Sequence, residues 1–338
     1  MREESKQFVL DTTQAQSLEK REVIQSLWSG YGEIARYKLL DGITDTIIVK
    51  HVQLPDVNNG EGGNHPRGWN TSLSHQRKIQ SYKVECAWYE AYSALCNEQS
   101  RVAKCYGTTT SENEFLMVLE DLDANGFSVR KQQAIIEHMQ ACLKWLANFH
   151  EQFLFDTSKA SNKTFKGIWD IGCYWHLDTR PDELDALTDL ELKQAAPKID
   201  QALRDCKYQT LVHGDAKLAN FCFSDTEKSV ATVDFQYVGR GCGMKDLAYF
   251  IGSCLDSEGC EKYAGGLLDF YFKCLEKALV KGKSDISFSL LEKEWRSMYA
   301  MAWADFQRFL KGWSPDHWKI HKYSETITKQ ILNQIQQL

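Results

Sequence analysis

At 338 residues, with 43% apolar and 25% charged side chains, the chain has a globular composition and enough length for one core to divide in two. Its net charge of −6 argues against nucleic acid or an anionic membrane surface as the main partner. No run of about 18 apolar residues occurs, so no membrane insertion is expected, and the eleven cysteines, with no C-x-x-C pair, read as free thiols of a cytoplasmic protein.

The opening stretch, residues 1–20, holds no apolar core long enough for a signal peptide. Residues 22–28 and 33–40 read as two strands joined around Ser29-Gly30-Tyr31-Gly32. Gly30 and Gly32 permit positive φ and close backbone approach, which suits either a phosphate-covering loop or an ordinary hairpin turn. Asp41-Gly42 marks a further turn. The run Ile47-Ile48-Val49-Lys50-His51-Val52 is β-branched and suits a buried strand that carries one lysine. Residues 55–72 are the richest Gly/Asn/Pro stretch and read as an exposed loop, more readily a mobile one than one that folds over a ligand with Arg67 and Trp69 as contacts. Tyr82, Cys86, Tyr89 and Leu95 then give a helical apolar stripe, and the same segment offers Glu85 or Glu90 as a partner for Lys50.

Phe115–Leu119 is a buried strand by composition and runs into Glu120-Asp121-Leu122. The expected domain boundary falls here, giving 1–122 and 123–338. Ile135, Ile136, Met139, Cys142, Leu143, Leu146 and Phe149 place a helix over 130–152. Residues 171–200 start irregular and become helical. Helices follow at 244–255, 262–280 and 288–312, the last lined by Leu291, Trp295, Met298, Met301, Ala302, Phe306 and Leu310. There is no repeat period and no low-complexity segment.

The segment that carries chemistry is LVHGDAKLANFCFSDTEKSVATVDFQ, residues 211–236. It holds His213, Asp215 and Asn220, and fourteen residues beyond Asn220 comes Asp234-Phe235. Phosphoryl transfer to a hydroxyl needs such a set: one carboxylate takes the acceptor's proton, while an amide oxygen and a second carboxylate hold the Mg²⁺ ions that neutralise the triphosphate. No G-x-x-x-x-G-K-[ST] occurs, which argues against a P-loop enzyme.

These residues fall on the kinase patterns H-R-D-L-x-x-x-N and D-F-G, and the Lys50 strand on V-A-I-K. The chain resembles the aminoglycoside phosphotransferase and choline kinase-like group of the protein-kinase-like superfamily, and within it the ecdysteroid-kinase-like branch. The resemblance rests on H-G-D-x-x-x-x-N at 213–220, D-F-Q at 234–236 and L-E-D-L at 119–122. The Glu85 segment with Trp88-Tyr89 and Asp246 in KDLAYF add to it, and it runs from about residue 22 to about residue 320.

The resemblance implies an α+β, two-lobed fold: a small N-terminal lobe with an antiparallel sheet and one helix, and a larger, mostly helical C-terminal lobe. It implies ATP and Mg²⁺ as cofactors and a small hydroxylated molecule as phosphate acceptor. On this likeness Asp215 is the catalytic base, assisted by His213 in the same loop, and Lys217 steadies the γ-phosphate. Asn220 and Asp234 hold Mg²⁺. Lys50 binds phosphate and is oriented by Glu85. Gly30 and Gly32 cover the nucleotide, and the Glu120 carbonyl and Leu122 N–H pair with adenine. Asp246 buttresses the catalytic loop.

Gln236 stands where D-F-G has glycine, and no A-P-E follows, which makes a protein substrate less expected. The acceptor pocket implied by the resemblance draws on Trp175, Trp303, Asp305, Trp313 and Asp316, with Tyr174, Arg308 and Trp318 nearby. Aromatics with carboxylates would cage a cationic amine; the same rings would hold a flat apolar alcohol of steroid-like shape. Asp305 and Asp316 are expected to be exposed, and Trp295 and Trp303 serve equally well as core. The expected function is an ATP-dependent small-molecule kinase. A non-catalytic nucleotide-binding protein of the same fold and a protein kinase are the alternatives.

Overall fold

The computed structural model describes residues 1–27, 30–54, 72–111, 113–159 and 164–337. Most of the expected loop at 55–72, with Arg67 and Trp69, lies outside the described residues, as does Ser29. The chain opens with an unforeseen helix, α1 (Glu3–Thr13), and continues through β1 (Ser17–Ser26), β2 (Gly32–Leu40), β3 (Thr46–Gln53), α2 (Ser72–Ala91), β4 (Cys105–Thr110) and β5 (Glu114–Glu120). The five strands form one antiparallel sheet in the order β1-β2-β3-β5-β4.

Side chains alternate between the two faces of a strand, and that period fixes what each face does. Ala35, Tyr37, Leu39, Ile47, Val49, Leu116 and Val118 point to the outer face and form a core of their own, closed by Val9 of α1. Ile34, Arg36, Ile48, Lys50 and Leu119 point the other way, into a cleft. Lys50 pairs in register with Ile34 on one side and Met117 on the other. A lysine inside a β-branched run is thereby aimed inward from a rigid strand. Gly32 has φ 125°, and a Cβ there would sit 2.0 Å from the His51 carbonyl oxygen, so close approach of β2 to β3 demands glycine.

The remainder is mostly helical: α3 (Ile136–Phe153), α4 (Pro181–Ala186), α5 (Leu190–Arg204), α6 (Met244–Cys254), α7 (Ser257–Gly282), α8 (Phe288–Trp313) and α9 (Lys322–Gln336). The helix expected from residue 130 starts at Ile136 instead, because Val129 bridges to Phe223 and holds the preceding backbone extended. Short strands frame the 211–236 segment: β6 (Phe155–Asp156), β7 (Tyr208–Val212), β8 (Phe221–Phe223), β9 (Val230–Thr232) and β10 (Gly239–Gly241).

β8 and β9 form a hairpin in which Phe221 faces Thr232, and the Val233 N–H donates to the Asn220 carbonyl at 3.1 Å. The fourteen-residue interval between Asn220 and Asp234 is thus a closed loop whose ends touch. Among the described residues no helix is long and apolar enough to cross a membrane. All eleven cysteines are free thiols.

The larger core joins the sheet side to the helical side through α2 and α3. Trp88 of α2 stacks on Phe235 with ring centroids 4.4 Å apart and 14° between planes, and meets Phe149 and Phe153 edge-on. Both Trp88 and Phe235 are 0% exposed. Replacing Trp88 with alanine should cost about 3–5 kcal/mol of stability, read as a lowered urea midpoint; a midpoint unchanged from wild type would show that this contact does not join the two parts.

Candidate active site

Lys50 Nζ lies 2.6 Å from Glu85 Oε2 and 3.6 Å from Asp234 Oδ1. Lys50 and Glu85 are 4% and 1% exposed, so the pair is buried and each charge depends on the other. Glu90 points elsewhere and bonds Thr108, which leaves Glu85 as the partner of Lys50. Burial pulls the Lys50 pKa down, but Glu85 and Asp234 outweigh it and hold the ammonium above the ordinary lysine value. Burial likewise pushes the Asp234 carboxyl up, and Lys50, Lys217 and Lys78 together overcome this and bring it to about 2. Asp234 is therefore an anion throughout the neutral range.

The local backbone of Asp234 is unusual. Its φ is 69°, in the left-handed region that aspartate tolerates better than most residues. Gln236 helps hold it: the Gln236 Nε2 donates to Asp234 Oδ1 at 2.7 Å, and its Oε1 accepts from Lys78 Nζ at 2.7 Å and Ser81 Oγ at 3.2 Å. The glutamine that replaces glycine in D-F-G thus ties Asp234 to α2. Sequence reading treated Gln236 as a loss and missed this link.

Asp215 sits in the loop after β7. Its Oδ2 accepts from Lys217 Nζ at 2.8 Å, and its Oδ1 accepts from the Tyr249 hydroxyl at 3.0 Å. Asn220 Nδ2 donates to the Asp215 carbonyl at 2.8 Å and to its Oδ2 at 3.3 Å. Tyr249 is a site residue the sequence reading passed over. The signal was its position three residues after Asp246, which puts both side chains on one face of α6. Burial raises the Tyr249 phenol well above its ordinary pKa, so it remains a donor.

Two other groups set the loop. His213 is 0% exposed. Its Nε2 donates to the Val233 carbonyl at 3.0 Å, and its Nδ1 accepts the Asp215 N–H at 3.2 Å. The imidazole lines neither cavity described below and acts as a positioning residue between the two aspartates. Asp246 accepts the N–H groups of His213 at 2.6 Å and Gly214 at 2.9 Å, and His150 Nε2 at 3.1 Å. Gly214 has φ 79°, and a Cβ would lie 2.1 Å from the Tyr237 carbonyl oxygen, so this loop position admits glycine alone.

Two cavities meet this segment. The first, about 500 Å³, is walled by the sheet residues named above and by Glu85, Glu120, Leu122, Asn220, Asp234 and Gln236. The Glu120 carboxylate is turned to Arg101 and the Lys104 N–H, leaving only its backbone for a ligand. Gly30 and Gly32 are not part of the wall. The second cavity, about 300 Å³, holds Asp215, Lys217 and Tyr249 with Tyr174, Tyr237, Phe306, Leu310, Trp313, His317 and Lys319.

Of the five expected acceptor residues, only Trp313 lines the second cavity. Trp175 and Trp303 are 0% exposed and pack in the core. Asp305 was expected at the surface but is 1% exposed, bonded to Trp175 Nε1 at 3.0 Å and Arg308 at 2.8 Å. Asp316 is exposed and lies outside the wall.

Mg²⁺ fits the donor set. Asn220 spends its Nδ2 on Asp215, and Asp234 spends Oδ1 on Gln236 and Lys50, so Asn220 Oδ1 and Asp234 Oδ2 remain for a hard cation. Among the described residues there is no cluster of three or more His, Cys, Asp or Glu able to hold a metal by themselves. Two protein oxygens suit an ion that takes its other ligands from phosphates and water.

The buttress can be tested without any ligand. Asp246→Ala strands two buried N–H groups and should cost about 3–5 kcal/mol of unfolding free energy, with Asp246→Asn recovering part of it. Equal urea midpoints for wild type and Asp246→Ala would contradict this role.

No curated protein sequence matches the chain. Several solved structures align with it at low identity. A choline kinase from Streptococcus pneumoniae is 13% identical over 99% of this chain and 99% of its own, with a TM-score of 0.48. An ethanolamine kinase from Plasmodium vivax is 13% identical over 96% of this chain and 83% of its own, at 0.43. An aminoglycoside phosphotransferase from Streptomyces rimosus, solved with ADP and streptomycin, is 10% identical over 78% of this chain and 90% of its own, at 0.41. The model of one family matches residues 73–152 and 176–283, more than half of the sequence and the whole of the site segment 211–236. The chain belongs to the ecdysteroid kinase-like family.

Proposed function

We propose that the protein is an ATP-dependent small-molecule kinase that moves the γ-phosphate to a hydroxyl group. The observation that carries this is the meeting of two cavities at one segment: Asn220 and Asp234 face the first, while Asp215 and Lys217 face the second. The nucleotide occupies the first, with Lys50 on its phosphates and the backbone of Glu120 and Leu122 at its base. The acceptor enters the second. Mg²⁺, held by Asn220 and Asp234, supplies neutralisation of the phosphate charge.

The residues then act in turn. Asp215, held by Tyr249 and Asn220, takes the proton of the acceptor hydroxyl. The acceptor oxygen forms a bond to the γ-phosphorus, the bond from that phosphorus to the β–γ bridging oxygen breaks, and its electron pair leaves with ADP. Lys217 steadies the transferred group as charge shifts toward the leaving oxygen. Between Gln236 and α6 lie only residues 237–243, part of them in β10, which leaves no long segment to dock a polypeptide and favours a small acceptor.

ADP release from Mg²⁺–ATP with a panel of alcohols tests the reading. Asp215→Asn should lower turnover by about 10²–10⁴-fold while still being stabilised by Mg²⁺–ATP in a thermal-shift assay. Asp234→Ala should lose that Mg²⁺-dependent stabilisation. Equal turnover in wild type and Asp215→Asn removes Asp215 as the base. Binding of nucleotide with no turnover on any alcohol favours the non-catalytic alternative.

A further inference from the structure

Among the described residues, the ammonium of Lys319 stands in the second cavity with no ion-pair partner of its own. The residue is 8% exposed and lines the wall. Its Nζ lies over the rings of Tyr249 at 4.6 Å, Phe306 at 5.6 Å and Trp318 at 5.6 Å. Among the described residues no carboxylate or hydrogen-bond acceptor pairs with that nitrogen. A buried ammonium held only by aromatic faces lacks the acceptor that such a group ordinarily requires. The one carboxylate in the wall, Asp215, is already engaged by Lys217, Tyr249 and Asn220.

Resting on the kinase reading above, we infer that Lys319 selects the acceptor: the cavity takes an alcohol that presents an oxygen acceptor, a carboxylate or a carbonyl, to this ammonium, and it rejects cationic amines. Two physical facts oppose the amine. The ring faces of Tyr249 and Phe306 already hold Lys319, which leaves fewer of the wall's rings for a ligand cation. A second positive charge beside Lys319 and Lys217 is repelled in a partly desolvated site. The carboxylates once expected to balance an amine, Asp305 and Asp316, are elsewhere. An oxygen acceptor reverses each term, since it completes the Lys319 donor set and leaves the aromatic walls to hold the apolar body of the molecule.

The charge state agrees with this assignment. Burial lowers the Lys319 pKa to about 8, with Asp215 and Cys254 opposing the shift and Lys217 adding to it. His317, Tyr174, Tyr237 and Tyr249 are the remaining titratable groups of the wall. The ammonium is charged below that pH and neutral above it, so attraction for a carboxylate is full below about pH 8 and fades above it.

The test uses three matched probes on the full chain: 4-(hydroxymethyl)benzoate, 4-(hydroxymethyl)acetophenone and (4-hydroxymethylbenzyl)trimethylammonium. Ligand-observed NMR titration gives the affinities. The benzoate should bind at least about tenfold more tightly than the ammonium probe, with the ketone between them. Lys319→Gln should abolish the carboxylate preference and Lys319→Arg should keep it. In the wild type the preference should shrink between about pH 6.5 and about pH 9. Equal binding of the three probes, tighter binding of the ammonium probe, no detectable binding of the benzoate at millimolar concentration, or a preference that survives in Lys319→Gln overturns the inference. Thermal shift with Mg²⁺–ATP is read separately. Its absence in the wild type would defeat the kinase reading, whereas the probe ranking decides the role of Lys319 by itself.

Discussion

The backbone N–H groups of His213 and Gly214 both end on the buried carboxylate of Asp246. That carboxylate is 0% exposed and lies in the first turn of α6, where the helix dipole favours an anion. It fixes the start of the loop that carries Asp215 to a helix that is itself packed in the main core. His213, so anchored, reaches Val233 and the Asp215 N–H, and the β8–β9 hairpin brings Asn220 beside Asp234. One helix also supplies Tyr249 to the Asp215 carboxylate. The positions of the proposed base and proposed metal ligands therefore descend from a single buried charge, and loss of its acceptors would loosen all of them together.

Charge is distributed against the average of the chain. The molecule carries a net −6, yet Lys50, Lys78 and Lys217 converge on Asp234. The wall of the first cavity as a whole carries more acidic than basic side chains, so these lysines act on a phosphate locally rather than through a positive field. The same three lysines keep Asp234 ionised, so the group proposed to hold the cation stays a ligand over the whole neutral range. Gln236 adds a neutral tie from Asp234 to α2, the helix that also carries Glu85. Both charged partners of Lys50 are thus set by one helix.

What the sequence made legible follows from how local each signal was. The spacing of Asp215, Asn220 and Asp234 is a loop and a hairpin, structures fixed by near neighbours. Lys50 was readable because strand alternation assigns a face. Glu85 and Glu90 lie five residues apart on α2, and only the packing of that helix against β4 and β5 chose between them. Trp303 and Asp305 lie outside the second cavity for a different reason. Residues 302–310 of α8 are buried without interruption, so no apolar stripe distinguishes an inward from an outward face there. An aspartate such as Asp305 in that stretch reads as exposed when it is in fact enclosed with Arg308 and Trp175. Lys319 was invisible because a lone lysine in a polar loop reads as solvated. The helix α1 left little trace, since Val9 is its one fully buried apolar residue, set between the polar Ser5 and Thr13 on the inward side.

The central claim is that Asn220 and Asp234 hold a divalent ion on the nucleotide in the first cavity, next to Asp215 in the second. Electron paramagnetic resonance with Mn²⁺ in place of Mg²⁺ addresses it directly. The account predicts that ATP recruits Mn²⁺ to the wild type and to Asp215→Asn alike, and that Asp234→Asn abolishes this nucleotide-dependent uptake. Undiminished uptake in Asp234→Asn, or none in the wild type, would contradict it.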